Sequence, residues 1–226
     1  MNMCCLWCGN EMGERLNWKR LFFLSESKSL CSTCADKLNI IQGKRCQMCS
    51  RQSDEPVCSD CIYWQRRDPS LSFNHSVFGY NERMQNMIAR WKYRGDYILG
   101  DAFEKAFRKE FKRIKFDRDA ILVPIPLSEE RLFERGFNQA QILADFLPMS
   151  THAILKRVHS EKQSKKTRYE RLASQNPFKL DQPVNTNTKV ILIDDIYTTG
   201  TTLRHAATSL KTGGASDVCA YTLIRG

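Results

Sequence analysis

From about residue 70 onward the apolar positions switch between two spacings, and the switches set out a series of elements. Ser72 to Tyr80 reads as extended chain. Met84, Met87, Ile88 and Trp91 then fall at i, i+3, i+4 and i+7, the stripe of an amphipathic helix. Leu99, Ala102, Phe103, Ala106, Phe107, Phe111 and Ile114 mark a longer helix with a strongly basic outer face. Its phenylalanines recur at i, i+4, so they belong to a core rather than to a stacking platform. Ala120 to Ile125 is a short apolar run closed by Pro124 and Pro126, the pattern of a buried strand. A shorter helix over Asn138 to Phe146, a strand over Lys189 to Ile193 and a helix striped by Leu203, Ala206, Ala207 and Leu210 follow. Gly213-Gly214 ends that helix, and Val218 to Ile224 forms a last strand. Strands that alternate with helices predict an α/β fold: a mostly parallel sheet with helices on both faces.

The first 67 residues show neither period strongly, and cysteine organises them instead. Nine of the ten cysteines lie between Cys4 and Cys61. Eight form four Cys-x-x-Cys knuckles: Cys5/Cys8, Cys31/Cys34, Cys46/Cys49 and Cys58/Cys61. Two thiolates three residues apart can grip one metal, and two knuckles complete a tetrahedron around zinc. Iron–sulfur ligation and redox chemistry are the alternatives that such spacing leaves open. Sequential pairing puts Cys5, Cys8, Cys31 and Cys34 on one ion and Cys46, Cys49, Cys58 and Cys61 on another, with interleaved pairing as the other arrangement. A closed four-cysteine site has no open position for substrate, so two structural zinc ions are expected. Cys4 is a spare thiol beside the first knuckle, and Cys219 a small buried side chain in a strand. Arg66-Arg67-Asp68-Pro69-Ser70 reads as a linker. The expected domains are therefore a zinc ribbon over 1–67 and an α/β domain over 70–226.

The formal net charge of +10 changes the picture of partners. The first 67 residues carry ten Lys/Arg against seven Asp/Glu, leaving +7 on the rest. Lysines and arginines along 105–118 and 156–171 predict weak, sequence-independent affinity for single-stranded DNA. Lys156 to Arg171 holds seven basic residues and two acidic ones with no apolar stripe. It is either a solvated loop or a mobile basic flap that closes over a polyanion. No apolar run approaches a membrane span. The opening Met-Asn-Met-Cys-Cys lacks the basic segment and apolar stretch of a secretory signal, so a cytoplasmic protein is expected.

The most informative segment is Val190 to Thr202, V-I-L-I-D-D-I-Y-T-T-G-T-T. A buried strand ends in Asp194 and Asp195, and a turn of small hydroxylated residues then opens a helix. Ligands of open α/β sheets bind at the carboxyl ends of the strands. Thr198, Thr199, Gly200, Thr201 and Thr202 would offer backbone N–H groups and hydroxyls to a phosphate at the helix N-terminus. The two carboxylates would stand one sugar away, able to accept from ribose hydroxyls or from magnesium-bound water. The constellation suits a ribose 5-phosphate. The competing reading is that the two acids merely cap the helix.

This block resembles the thirteen-residue signature of type I phosphoribosyltransferases, which binds phosphoribosyl pyrophosphate (PRPP). Further stretches narrow the resemblance to the ComF family of late-competence proteins: Lys92-Tyr93-Arg94-Gly95-Asp96, Val123-Pro124-Ile125-Pro126-Leu127 with Arg131, and Arg135-Gly136-Phe137-Asn138-Gln139. Gln163 to Leu172 is similar to that family's flexible loop. Thr201 stands where a smaller residue is common. The resemblance implies a phosphoribosyltransferase-like fold that supports import of single-stranded DNA in natural transformation. It implies work with a cytoplasmic DNA-translocating ATPase, which would recruit the protein to the inner face of the membrane. By the same resemblance Asp194 and Asp195 are the ribose-binding acids, Thr198 to Thr202 the 5-phosphate loop, and Lys92, Arg94 and Gly95 the loop facing pyrophosphate. PRPP would enter with Mg2+. Arg131 and Arg135 are candidates for a second anion contact.

Turnover would make Asp194, Asp195, Lys92 and Arg94 catalytic, with magnesium and basic side chains stabilising the departing pyrophosphate. The chain ends at Gly226, directly after the final strand, so no acceptor hood is expected there, and the ribbon is expected in its place. Three readings follow: a PRPP-binding competence factor with or without transferase activity, a nucleotide-salvage phosphoribosyltransferase, and a structural DNA-binding adaptor with a vestigial PRPP site.

Overall fold

The computed structural model describes residues 4–12, 29–93, 95–158 and 176–226. Arg94, the segment Gln163 to Leu172 and most of the basic stretch 156–171 lie outside the described residues.

A parallel sheet of four strands organises what is described. Its strands are β1 (Asn74–Gly79), β2 (Ile121–Pro124), β5 (Lys189–Tyr197) and β6 (Asp217–Arg225), in the spatial order β1-β6-β5-β2. All three pairings are parallel. Among the described residues the helices between them are α3 (Glu82–Tyr93), α4 (Asp101–Arg113), α5 (Glu129–Arg135), α6 (Gln139–Asp145) and α7 (Thr201–Thr212). A 3-10 turn over Tyr97–Gly100 leads into α4. Among the described residues, two helices belong to the cysteine-rich segment, the short α1 (Ser32–Ala35) and α2 (Ser59–Arg67).

Alternation along the central strands sends side chains into two cores, one on each face. Ile191, Ile193, Cys219 and Tyr221 are buried with Met84, Met87 and Trp91 of α3 and with Phe103, Phe107 and Phe111 of α4. Val190, Leu192, Val218 and Ala220 are buried with Leu203, Ala206, Ala207 and Leu210 of α7. Helices therefore cover both faces, and the i, i+4 phenylalanines are core. Phe107 lies 4.4 Å from the ring of Tyr221, whose hydroxyl donates to the Phe107 carbonyl at 2.7 Å.

Three local readings change. The stretch from Lys156 does not begin as a loop: Leu155–Arg157 forms β3, antiparallel to β4 (Phe178–Leu180), because Leu155 and Phe178 reach the α7-side core. Helix α5 buries no residue, so it left no apolar stripe in the sequence. The linker reading begins too early, since Arg66 and Arg67 form the last turn of α2. The cysteine-rich segment also bonds to the sheet. The Ile41 amide donates to the Val77 carbonyl at 3.0 Å, and the Asn74 amide to the Met48 carbonyl at 2.8 Å.

Candidate functional site

Strand β2 stops at Pro124, opposite Ile193, whereas β5 continues to Tyr197. Pro126 follows closely, and proline supplies no ladder N–H. The carboxyl end of β5 therefore stands free on its β2 side, and that free end carries Asp194 and Asp195. Asp195 is 8% exposed and ion-pairs with Nζ of Lys92, the penultimate residue of α3. The backbone amide of Asp195 donates to Asp194 Oδ1 at 2.9 Å. Burial, and then the charge of Asp195, push the Asp194 carboxyl up to about 7, against the pull of Lys92, the Asp195 amide and Arg157. Burial and the charge of Arg131 lower Arg157, while Asp194 opposes them. Two acids and two cations, Lys92 and Arg157, thus converge on one strand end.

The turn after the strand opens α7. Gly200 is the N-cap, in the left-handed region at φ +80°, and no side chain caps the helix. The acids are therefore not caps. A Cβ on Gly200 would strike the Tyr197 hydroxyl and the Arg204 guanidinium, so this position also needs glycine for space. Thr199 and Thr201 hydroxyls bond to each other at 2.9 Å, whereas Thr198 and Thr202 are exposed. Behind the turn lie residues that sequence reasoning missed. Trp64 Nε1 donates to the Thr199 carbonyl at 2.9 Å. Arg204 Nη1 donates to Tyr197 Oη at 2.9 Å. Arg225 Nη1 donates to the carbonyls of Tyr197 and Thr198 at 3.2 and 3.0 Å. Each is far in sequence from the turn or read as an ordinary helix or strand residue, and only their burial as polar side chains marks them.

On the other side of the acids, α3 ends with Lys92 and Tyr93, and Gly95 follows at φ +63°. Arg135 lies 5.7 Å from the Tyr93 ring centroid and donates to Gln139 Oε1 at 3.0 Å, so it borders this segment. Arg131 is exposed on α5.

The cysteines pair sequentially. Cys5, Cys8, Cys31 and Cys34 form one tetrad and Cys46, Cys49, Cys58 and Cys61 the other, with sulfurs within 4.8 Å of one another in each. Tetrahedral zinc with bonds of about 2.3 Å sets its sulfurs about 3.8 Å apart. The Cys8–Cys31 and Cys49–Cys58 sulfurs stand at 3.9 and 3.7 Å, so both tetrads can hold zinc. A hydrogen bond from Cys61 brings Cys49 down to about 4 against burial, favouring the thiolate that a metal needs.

Paired acids at a parallel strand's carboxyl end, followed by a hydroxyl-rich helix-opening turn, define a phosphoribosyltransferase-type fold. The phosphoribosyl transferase domain family matches residues 133–226. Competence protein ComFC of Bacillus subtilis strain 168 is 42% identical, covering 99% of this chain and 95% of its own length. Competence protein ComFC of Streptococcus pneumoniae is 34% identical over 99% of this chain and 100% of its own. The DNA utilization protein YhgH of Escherichia coli O157:H7 is 24% identical over 87% of this chain and 96% of its own. The chain belongs to the ComF family.

Proposed function

We propose that this protein binds PRPP at the carboxyl end of β5 and serves the import of single-stranded DNA during natural transformation. The observation that carries the first half is the convergence of Asp194, Asp195 and Lys92 beside the Gly200 turn. In this reading the acids accept from the ribose hydroxyls, residues 198–202 cradle the 5-phosphate, and Lys92, Arg94 and Gly95 face pyrophosphate. Asp194 and Asp195 would hold Mg2+ through its bound water, and the ion would supply charge neutralisation to the pyrophosphate. The names of the relatives, competence protein and DNA utilization protein, support a role in DNA uptake; in this reading the partner is a DNA-translocating ATPase at the uptake pore. The protein then acts in the cytoplasm and is drawn to the inner membrane face through that ATPase. Among the described residues no helix is long and apolar enough to cross a membrane. Zinc fills both tetrads in a structural role.

Calorimetric titration with PRPP and magnesium tests the site. The double change Asp194→Asn/Asp195→Asn keeps shape but removes charge and acceptor capacity. Hydrogen bonds to charged groups contribute about 1.5–3 kcal/mol each, so binding should weaken at least ~100-fold. Undiminished binding by the double variant would overturn the assignment. Transformation assays of the same variant then link the site to DNA import.

A further inference from the structure

Each cysteine tetrad is fastened to a different loop of the candidate site. Arg225, 5% exposed at the end of β6, reaches Cys49 Sγ with Nη2 at 3.7 Å. Its Nη1 holds the carbonyls of Tyr197 and Thr198. Helix α2, which starts from the Cys58/Cys61 knuckle, presents Trp64 to the Thr199 carbonyl. The Trp64 ring also lies 4.4 Å from the Arg204 guanidinium, which donates to the Gly200 carbonyl at 3.4 Å. Four successive carbonyls are thus held from the tetrad side. In a trans peptide the C=O of one residue and the N–H of the next point in opposite directions. Fixing the carbonyls of residues 197–199 therefore turns the amides of residues 198–200 the other way, toward where an anion would sit, while the Thr201 amide donates to Thr199 Oγ1 at 3.4 Å.

The first tetrad makes a different connection. Trp7 sits inside the Cys5/Cys8 knuckle, and its ring lies 5.4 and 5.8 Å from the guanidinium groups of Arg83 and Arg90. Its carbonyl accepts from Arg90 Nη1 at 3.2 Å. Arg90 Nη2 in turn pairs with Asp96 at 2.6 Å, just beyond the end of α3 that carries Lys92.

We propose that the two tetrads anchor the two anion-binding segments separately, the second holding residues 198–202 through Arg225 and Trp64, the first holding the end of α3 at Lys92 and the Gly95–Asp96 step through Trp7 and Arg90. Arg225, Trp64 and Arg90 are positioning residues in this scheme, which rests on the PRPP reading of the site. A ligand then meets two loops that are each preorganised by a metal knot, and disturbing one knot impairs one end of the ligand.

The test uses the full zinc-loaded chain and two half-ligands, ribose 5-phosphate and magnesium pyrophosphate, each titrated by calorimetry. Arg225→Gln should weaken ribose 5-phosphate at least ~10-fold and leave pyrophosphate within about twofold. Arg90→Gln should do the reverse. Arg225→Lys keeps the charge without the fork and should recover part of the loss. If Arg225→Gln fails to fold, Trp64→Phe removes one N–H donor while keeping the packing and should move the ribose 5-phosphate affinity alone. A readout independent of any ligand comes from cobalt exchanged into the tetrads. Arg225→Gln should shift the thiolate-to-cobalt absorption bands, because the N–H donor to Cys49 is gone, while Arg90→Gln leaves them in place. Equal loss of both half-ligands in either variant, or no loss in any, overturns the proposal. If the parent chain binds neither half-ligand, the PRPP reading falls, and unshifted cobalt bands in Arg225→Gln would remove the tether as well.

Discussion

Asp194 shows what one residue in this setting can be asked to do. Its carboxyl titrates at about 7, against an ordinary value of 3.8, because burial and Asp195 disfavour its charge. A native pKa above the unfolded one means that the folded state keeps a proton the unfolded chain has already lost. Stability from this group is therefore complete below about pH 4, is lost as pH rises toward 7, and the penalty is full above that. Asp194→Asn removes the penalty. Thermal melts should show a gain for the variant at pH 8 that shrinks to nothing near pH 4, each kcal/mol being worth about 2–4 °C in a chain of this size. A gain independent of pH would mean that charge at Asp194 is not the cause. Gly200 is the complementary case, a residue chosen for what it lacks. Gly200→Ala places a Cβ in the left-handed region and against Tyr197 and Arg204. Backbone strain alone costs about 1–2 kcal/mol. The urea midpoint should fall accordingly, and an unchanged midpoint would contradict the cramped geometry of the turn.

At the scale of elements, the legible pieces were those that a strong period or a proline declares. The stripe Met84, Met87, Ile88, Trp91 became α3, and the phenylalanine row became the buried side of α4. Helix α5 and the β3–β4 hairpin escaped notice for one physical reason. Each is too short, and α5 too exposed, to impose a burial pattern on its sequence. Helix α4 is where the proposed affinity for nucleic acid can be tested. Its outer side exposes Lys105, Arg108, Lys109, Lys112 and Arg113, with Lys115 and Arg118 following. Arg108 and Arg113 are paired to Glu104 and Glu110, which lowers the free charge of the stripe. A single strand neutralised at three phosphates gives a salt slope of about −2, or roughly 20-fold weaker binding over a fourfold rise in salt. Fluorescence anisotropy with labelled oligonucleotides should follow that slope; a curve flat in salt would count against the basic-face reading.

For the whole molecule, the cysteine-rich segment matters more than its size suggests. The second tetrad is buried in the same cluster as α7 and the central strands, so a metal bound there would help to hold the main core. Elemental analysis of protein purified without chelator should find two zinc ions per chain. One ion or none in intact protein would contradict the paired-tetrad reading. Chelation should lower the temperature of the principal unfolding transition as well as loosening the first 67 residues, since metal affinity is folding free energy where ligands converge only in the native state.

The amino-acid sequence by itself determined the alternation of strands and helices, the four knuckles and the acid-acid-turn signature, because each is a local pattern that no distant residue needs to complete. Only the tertiary structure decided which knuckles share a tetrad, that Lys92 pairs with Asp195, and that Trp64, Arg204 and Arg225 stand behind the Gly200 turn. Those choices depend on where β5 outruns β2 and on which face of the sheet each side chain enters. Such facts belong to the packing of remote segments, and a linear pattern carries no trace of them.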